Sequence, residues 1–544
     1  MTTIDTHADS AAPAGAGLTT VAEWITTTDH KRIGRLYLGT AALTGVGSVT
    51  LAALLAFERI DAAKTTFKLG SLTQMFSLYR FGLTYLVMLP LVVGVALAVV
   101  PLQVGARAIA FPRLAALGFW AWLVGAALTV ASLVGNGGPS GGNARFVDLF
   151  TLAAALCMAG LLASTLSLVA TVLTTRVPGM NMRRVPLFSW SVLVMGLGLV
   201  VVLPIVIGLL LVVYVAHKYP SLSELSGNRA LPQWVGFGFT QPTTILFAIP
   251  VLGLLADTVA TATRSRLRPR GPLLAAVGLV GTAMFGAAVQ APVVIRAPFR
   301  DLSGGDRVSD LLPYALVHVL PLLGVFLAVA LTVSALRTKP KVTAPLVFAL
   351  LGALLVLLGT TASALFHIGD AGLTGTVFEE GVWLALVYGT VLGAMGAVAY
   401  WGPKLWGRSM PRGATLPLAL VGFVGALLAS VPMLIAGFAD QPGAVFPAVG
   451  RGDSAVTFSY SGPHGLWNGL SFAGHVVVLV TVLAFVALAL RSFLSGERVG
   501  DDPWDGGTLE WATTSPAPAD NFAEILIVKS AEPLLDLKPS RSDA

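Results

Sequence analysis

Apolar and polar residues along this chain do not alternate; they are sorted into blocks. Runs of roughly 20 apolar residues, each long enough to cross about 30 Å of hydrocarbon as a helix, begin near Ile33, Phe81, Leu114, Phe146, Phe188, Thr240, Pro272, Leu311, Ala344, Glu380, Thr415 and Asn468. This pattern predicts an all-α membrane protein, a bundle of twelve transmembrane helices. Two polar ends flank the blocks. Met1 to Ala22 is polar and small-residue rich with no apolar core of a signal peptide, so it reads as a disordered tail. Gly500 to Ala544 is rich in Asp, Pro and Ser and reads as an extended tail. The predicted organisation is a tail over 1–22, a membrane domain over 23–495 and a C-terminal tail over 496–544.

Composition supports this setting. The chain is 55% hydrophobic and 11% charged, with a mean hydropathy of +0.82, whereas a soluble domain carries about 25% charged residues. Basic residues cluster in alternate linkers: Arg107 and Arg113; Arg176, Arg183 and Arg184; Arg264, Arg266, Arg268 and Arg270; Arg337, Lys339 and Lys341; Lys404, Arg408 and Arg412. The bias predicts that both termini are cytoplasmic. The net charge of +7 therefore reports topology and contact with anionic lipid, and gives no reason to expect a nucleic acid partner. The single cysteine, Cys157, lies in an apolar run, where an inert buried thiol is expected.

Several segments resemble a known family. WITTTDHKRIGRLY (Trp24 to Tyr37) resembles the lead into the first helix of cytochrome c oxidase subunit I, of the haem-copper oxidase family. VPLQVGARAIAFPRLAALGFW (Val100 to Trp120), LFSWSVLVM (Leu187 to Met195), YWGPKLWGR (Tyr400 to Arg408) and DPWDGGTLEWATTSPAPADNF (Asp502 to Phe522) are similar to later parts of that subunit. The resemblance implies its twelve-helix fold, and it implies haem and copper ligands at definite positions.

Those ligands are replaced. The low-spin haem position, fixed by Pro90, is Tyr79; the two haem positions of the tenth helix, counted back from Trp401 and Pro403, are Gly381 and Trp383. Glycine offers no side chain and indole only a donor. The family's copper histidines fall on Gln241 in the sixth helix, whose neighbouring family positions are Thr243 and Ile245, and on Thr282 and Ala283 in the seventh. Copper favours imidazole or thiolate, and none is there. The family's proton-path residues map to Ala108, Ala115, Ala116 and Val325. Arg80, beside Tyr79, is expected to snorkel outward or to pair with Glu379 or Glu380. Of the seven histidines, His318, His367 and His475 fall in or near helices without an i, i+4 spacing that would aim two rings at one metal.

The expected function is that of a non-catalytic, subunit I-like component of a respiratory membrane complex, a pseudoenzyme with a structural or assembly role in the bacterial plasma membrane. No haem or copper is expected to bind at the family's positions. Its partners would be subunit II- or III-like chains or a true subunit I, docked on the cytoplasmic segments that keep the resemblance. The alternatives are an oxidase with altered ligands, drawn from His318, His367 or His475, and a transporter built on the vacated bundle.

Overall fold

The computed structural model describes residues 22–60, 66–67, 69–222, 243–289, 295, 304–338, 340–443, 448–449, 456–457, 462–524 and 526–537. Residues 1–21 of the expected N-terminal tail, Gln241, and residues 538–544 of the C-terminal tail lie outside the described residues.

The apolar blocks fold as α1 (His30–Glu58), α2 (Ser71–Gln103), α3 (Pro112–Val134), α4 (Ala144–Thr174), α5 (Leu187–Lys218), α6 (Thr244–Thr263), α7 (Arg270–Gly286), α8 (Leu311–Arg337), α9 (Ala344–Phe366), α10 (Phe378–Trp406), α11 (Arg412–Phe438) and α12 (His464–Ser495). Among the described residues, eleven of these are long and apolar enough to cross a membrane. α7 is shorter and includes a 3₁₀ turn at Gly281–Ala283. Local chemistry sets several starts: Asp29 caps α1 by accepting from the Lys31 amide, Asn143 caps α4 through the Arg145 amide, and Pro112 opens α3.

Sequential neighbours pack as antiparallel pairs, above all α3 with α4, α9 with α10, and α11 with α12, and α12 closes back on α1. Small residues allow the close crossings. A Cβ on Gly34 of α1 would stand 2.6 Å from the Gly94 carbonyl of α2, and one on Gly352 of α9 would stand 2.7 Å from the Gly389 carbonyl of α10. Between helices in lipid, where hydrophobicity supplies no preference, such backbone approach is a main source of association.

The bundle has inner and outer helices. In α2 and α10, 94% of the most apolar window is buried, and in α6 83%, against 28% in α5 and 33% in α12. Tyr79, Ile245, Gly381 and Trp383 thus sit on the three innermost helices. α2 starts at Ser71, ahead of the expected Phe81, because its polar first turns are covered by protein and not by lipid. There Gln74 donates to the Gly141 carbonyl of the α3–α4 hairpin at 2.9 Å.

The C-terminal tail is extended, but it is no free appendage. Glu497–Arg498 pairs with Arg408–Ser409, Leu509–Ala512 makes a 3₁₀ turn pressed into the end of the bundle, and the Val528 amide donates to the Pro178 carbonyl at 3.1 Å. Residues 496–524 and 526–537 form a strap across the bundle end.

Candidate functional site

At the end opposite the strap, two of the positions to which the resemblance assigns haem ligands, Tyr79 and Trp383, meet in one buried network. The Tyr79 hydroxyl donates to Glu380 Oε1 at 3.0 Å. Glu380 Oε2 is ion-paired with Arg59 Nη1 at 2.6 Å, both side chains being buried. Arg59 stands at the C-cap of α1; its Nη2 donates to the Gly443 carbonyl and its own carbonyl accepts from Asn468 Nδ2, each at 3.1 Å. The Trp383 ring meets Tyr79 edge-on at 5.0 Å, and its Nε1 donates to Thr84 Oγ1 at 3.1 Å. Thr84 lies in a π-helical segment of α2, Gly82–Met88. Arg80, expected to pair with a glutamate, instead lays its guanidinium over the Trp383 ring at 4.6 Å. The partner of Glu380 is Arg59, contributed by a helix end that no local motif marks.

Of these residues only Tyr79 carries an atom of a kind that ligates haem iron. Tyr79 commits its hydroxyl to Glu380, and Trp383 commits its only polar atom as a donor. Gly381 faces no vacancy: a Cβ there would lie 2.8 Å from Leu434 Cδ2 and 2.9 Å from the Leu434 backbone nitrogen. Between α2, α6 and α10, the space lined by Val92, Phe188, Val251 and Gly393 amounts to about 10 Å³, about one water-sized probe.

The copper positions are equally occupied. Thr282 Oγ1 lies 2.8 Å from both the Leu279 and Leu316 carbonyls, tying α7 to a π-helical segment of α8 at Ala315–Val319. Ala283 and Ile245 are buried, and Thr243 adjoins the start of α6. Gln241 is outside the described residues. Of the proton-path positions, Ala115 and Val325 are buried in apolar packing, Ala116 is half-buried and Ala108 is exposed in the α2–α3 loop.

The fold brings together two histidines that spacing left apart. His318 stacks on His367 with ring centroids 3.9 Å apart and planes 23° from parallel. The two belong to different helices, so periodicity held no signal of the contact. His367 Nδ1 donates to the Ser363 carbonyl at 2.7 Å, and burial pulls this imidazole down to about 4, so it is neutral at pH 7. His475 Nδ1 meets the Tyr388 hydroxyl at 2.6 Å. Among the described residues no three His, Cys, Asp or Glu side chains form a group that could hold a metal ion.

At the strap end, the segments that carry the family resemblance bind one another. His30 Nδ1 donates to the Leu97 carbonyl at 2.8 Å, and its Nε2 faces the Asn521 amide. Lys31 Nζ donates to Asn521 Oδ1 at 2.9 Å and to the Ala519 carbonyl at 3.1 Å. Asn521 Nδ2 reaches the Ala106 carbonyl at 2.8 Å. Lys404, fully buried, donates to the Asp501 and Thr513 carbonyls at 2.9 and 2.6 Å. The segments expected to dock a partner are thus largely spent on holding the strap.

An integral membrane bundle with three inner helices, a buried ion-pair network at one end and a strap of extended chain at the other defines the class. The comparisons place it further. The model described as cytochrome c and quinol oxidase polypeptide I matches residues 32–291. The putative cytochrome c oxidase subunit 1-beta of Streptomyces coelicolor is 27% identical, over 94% of this chain and 90% of that protein. Cytochrome c oxidase subunit 1 of Bacillus subtilis is 25% identical over 94% and 82%. The heme-copper oxidase subunit I+III of Aeropyrum pernix is 29% identical over 94% and 62%. A solved heme-copper terminal oxidase dimer shares the fold, with a TM-score of 0.63 at 15% identity, covering 93% of this chain and 88% of that one. Over most of its length the chain is similar to subunit I of the haem-copper oxidases.

Proposed function

We propose that this chain is a non-catalytic subunit I-like component of a respiratory membrane complex, with a structural or assembly role and without haem or copper at the positions its relatives' names imply. The observation that carries this reading is the closed Arg59–Glu380–Tyr79 network with Trp383 bonded to Thr84. Haem iron takes its axial ligand from imidazole, thiolate, thioether or phenolate; Gly381 and Trp383 offer none of these, and Tyr79 spends its hydroxyl proton on Glu380. The partner half of the reading draws on the relatives: one is named as a fused subunit I+III, and the solved neighbour is a dimer. A subunit III-like chain or a second subunit I would then meet the lipid-facing flanks of the bundle, since the strap end is engaged internally.

The test is purification from native membranes in mild detergent, followed by reduced-minus-oxidised spectra and metal analysis of the separated chain. Oxidase subunits co-purifying with a haem-free, copper-free chain are expected. A stoichiometric haem band in the isolated chain would overturn the reading in favour of an oxidase with altered ligands.

A further inference from the structure

Beneath the strap lies a pair of buried carboxyl groups that no haem chemistry accounts for. The Gln103 amide nitrogen donates to Asp257 Oδ2 at 2.9 Å and to Glu510 Oε1 at 3.0 Å. Its orientation is set by Ser189, whose hydroxyl donates to Gln103 Oε1 at 2.7 Å. Gln103 and Glu510 are fully buried and Asp257 nearly so. One amide group therefore bridges two acids from α6 and the strap, out of reach of bulk water.

The two acids are not equivalent. Asp257 also accepts from the Leu187 and Phe188 amides at 3.2 and 3.3 Å, at the N-terminus of α5, where the helix dipole favours negative charge. Glu510 receives a second donor, Trp401 Nε1 at 3.1 Å, on the same oxygen, and the Thr508 hydroxyl and its own amide stand beside its carboxyl. The nearby cations are occupied. Lys404 on α10 binds strap carbonyls beside Asp501 and Asp502. Arg270 pairs at 3.0 Å with Glu532, which lines a small cavity together with Asp257 and Thr508. Tyr400 and Trp511 complete the surroundings of Glu510. Two like charges sharing one amide in such a site cannot both be ionised, and Asp257, held at the N-terminus of α5, is the better placed for the charge.

We infer that Glu510 docks as a neutral acid and that its proton is the latch of the strap: ionisation of Glu510 opposite Asp257 drives the Leu509–Ala512 turn out of the bundle. The strap is where this strain can be relieved, since Asp257 and Gln103 are fixed within transmembrane helices. Burial pushes the Glu510 carboxyl above the usual glutamate range. An acid raised in the docked state holds more protons docked than undocked. Latch stability is then full below the ordinary glutamate pKa of about 4.3 and is lost as pH rises through the docked value.

The experiment is hydrogen exchange on the full chain in nanodiscs from pH 5 to 8, corrected for intrinsic exchange and read over residues 507–524. The opening constant should rise about tenfold per pH unit up to the docked pKa of Glu510 and then level. Glu510→Gln, which keeps the shape and the acceptor, should stay protected with no pH slope. Asp257→Asn, which removes the opposing charge, should narrow the pH range of the rise. Glu510→Ala should be unprotected throughout, separating loss of packing from loss of the proton. A flat wild-type profile, or an equal slope in Glu510→Gln, overturns the inference.

Discussion

The two ends of this bundle treat family-like residues in opposite ways. At the strap end, His30, Lys31, Lys404 and Asn521 stand in segments that resemble the oxidase subunit, and all four are bonded across long sequence distances. At the other end, the residues at Tyr79, Gly381 and Trp383 differ from the family's ligands, yet they too are bonded or packed without a gap. Resemblance therefore follows the contacts that close the chain, while around Tyr79, Gly381 and Trp383 the interior is held by contacts of its own. Under the proposed function, an ion pair, an indole and a helix contact take the place of a cofactor.

The largest effect should come from removing the strap. Deleting residues 500–544 leaves Trp401 and Lys404 without a hydrogen-bond partner and takes partners from Gln103, His30 and Lys31. At about 1–3 kcal/mol for each unsatisfied group, the sum rivals the roughly 5–15 kcal/mol that holds a typical protein folded. The truncated chain should aggregate in fluorescence-detected size exclusion, and a sharp monodisperse peak would show the strap end to be dispensable. Next, Arg59→Ala strands Glu380 as a buried anion and should cost about 3–5 kcal/mol in a detergent unfolding titration. Replacing both partners, Arg59→Met with Glu380→Leu, should recover most of that loss. If the double variant is as weak as the single one, the network does more than fill space.

Restoring ligands sharpens the same contrast. Tyr79→His with Gly381→His should give no haem band and should destabilise by about 1–3 kcal/mol, because the second imidazole must displace Leu434 from the α10–α11 contact. Recovery of a haem spectrum would mean that the pocket persists and only its ligands were changed. The smallest effect belongs to Thr282→Val, which deletes one hydroxyl bond between α7 and α8 and should cost about 0.5–1.5 kcal/mol by thermal shift.

Hydropathy made the helices legible because lipid enforces it: a segment facing hydrocarbon has little choice of side chains. It failed where protein replaces lipid. The turns from Ser71 to Arg80 are polar and still helical, since Gln74 finds the α3–α4 hairpin and Arg80 an indole face. The Arg59–Glu380 pair was hidden for a related reason. Arg80 was the neighbour in sequence, whereas Arg59 arrives from the end of another helix. The strap read as solvated because its composition is polar, but Glu510 and Asn521 are satisfied by helix-end groups on other segments. The stack of His318 on His367 joins two helices with no shared period.

The bond between Lys31 and Asn521 spans 490 positions, and this has a consequence for biosynthesis. At about 5–20 residues per second, the partner of a side chain in the first helix leaves the ribosome roughly 25 to 100 s after it. Until then Lys31 has only Asp29, and His30 only the Leu97 carbonyl, of the acceptors they bind in the finished chain. Strap closure is accordingly the last event of maturation, and a stalled or prematurely terminated product is marked by the first helix it made.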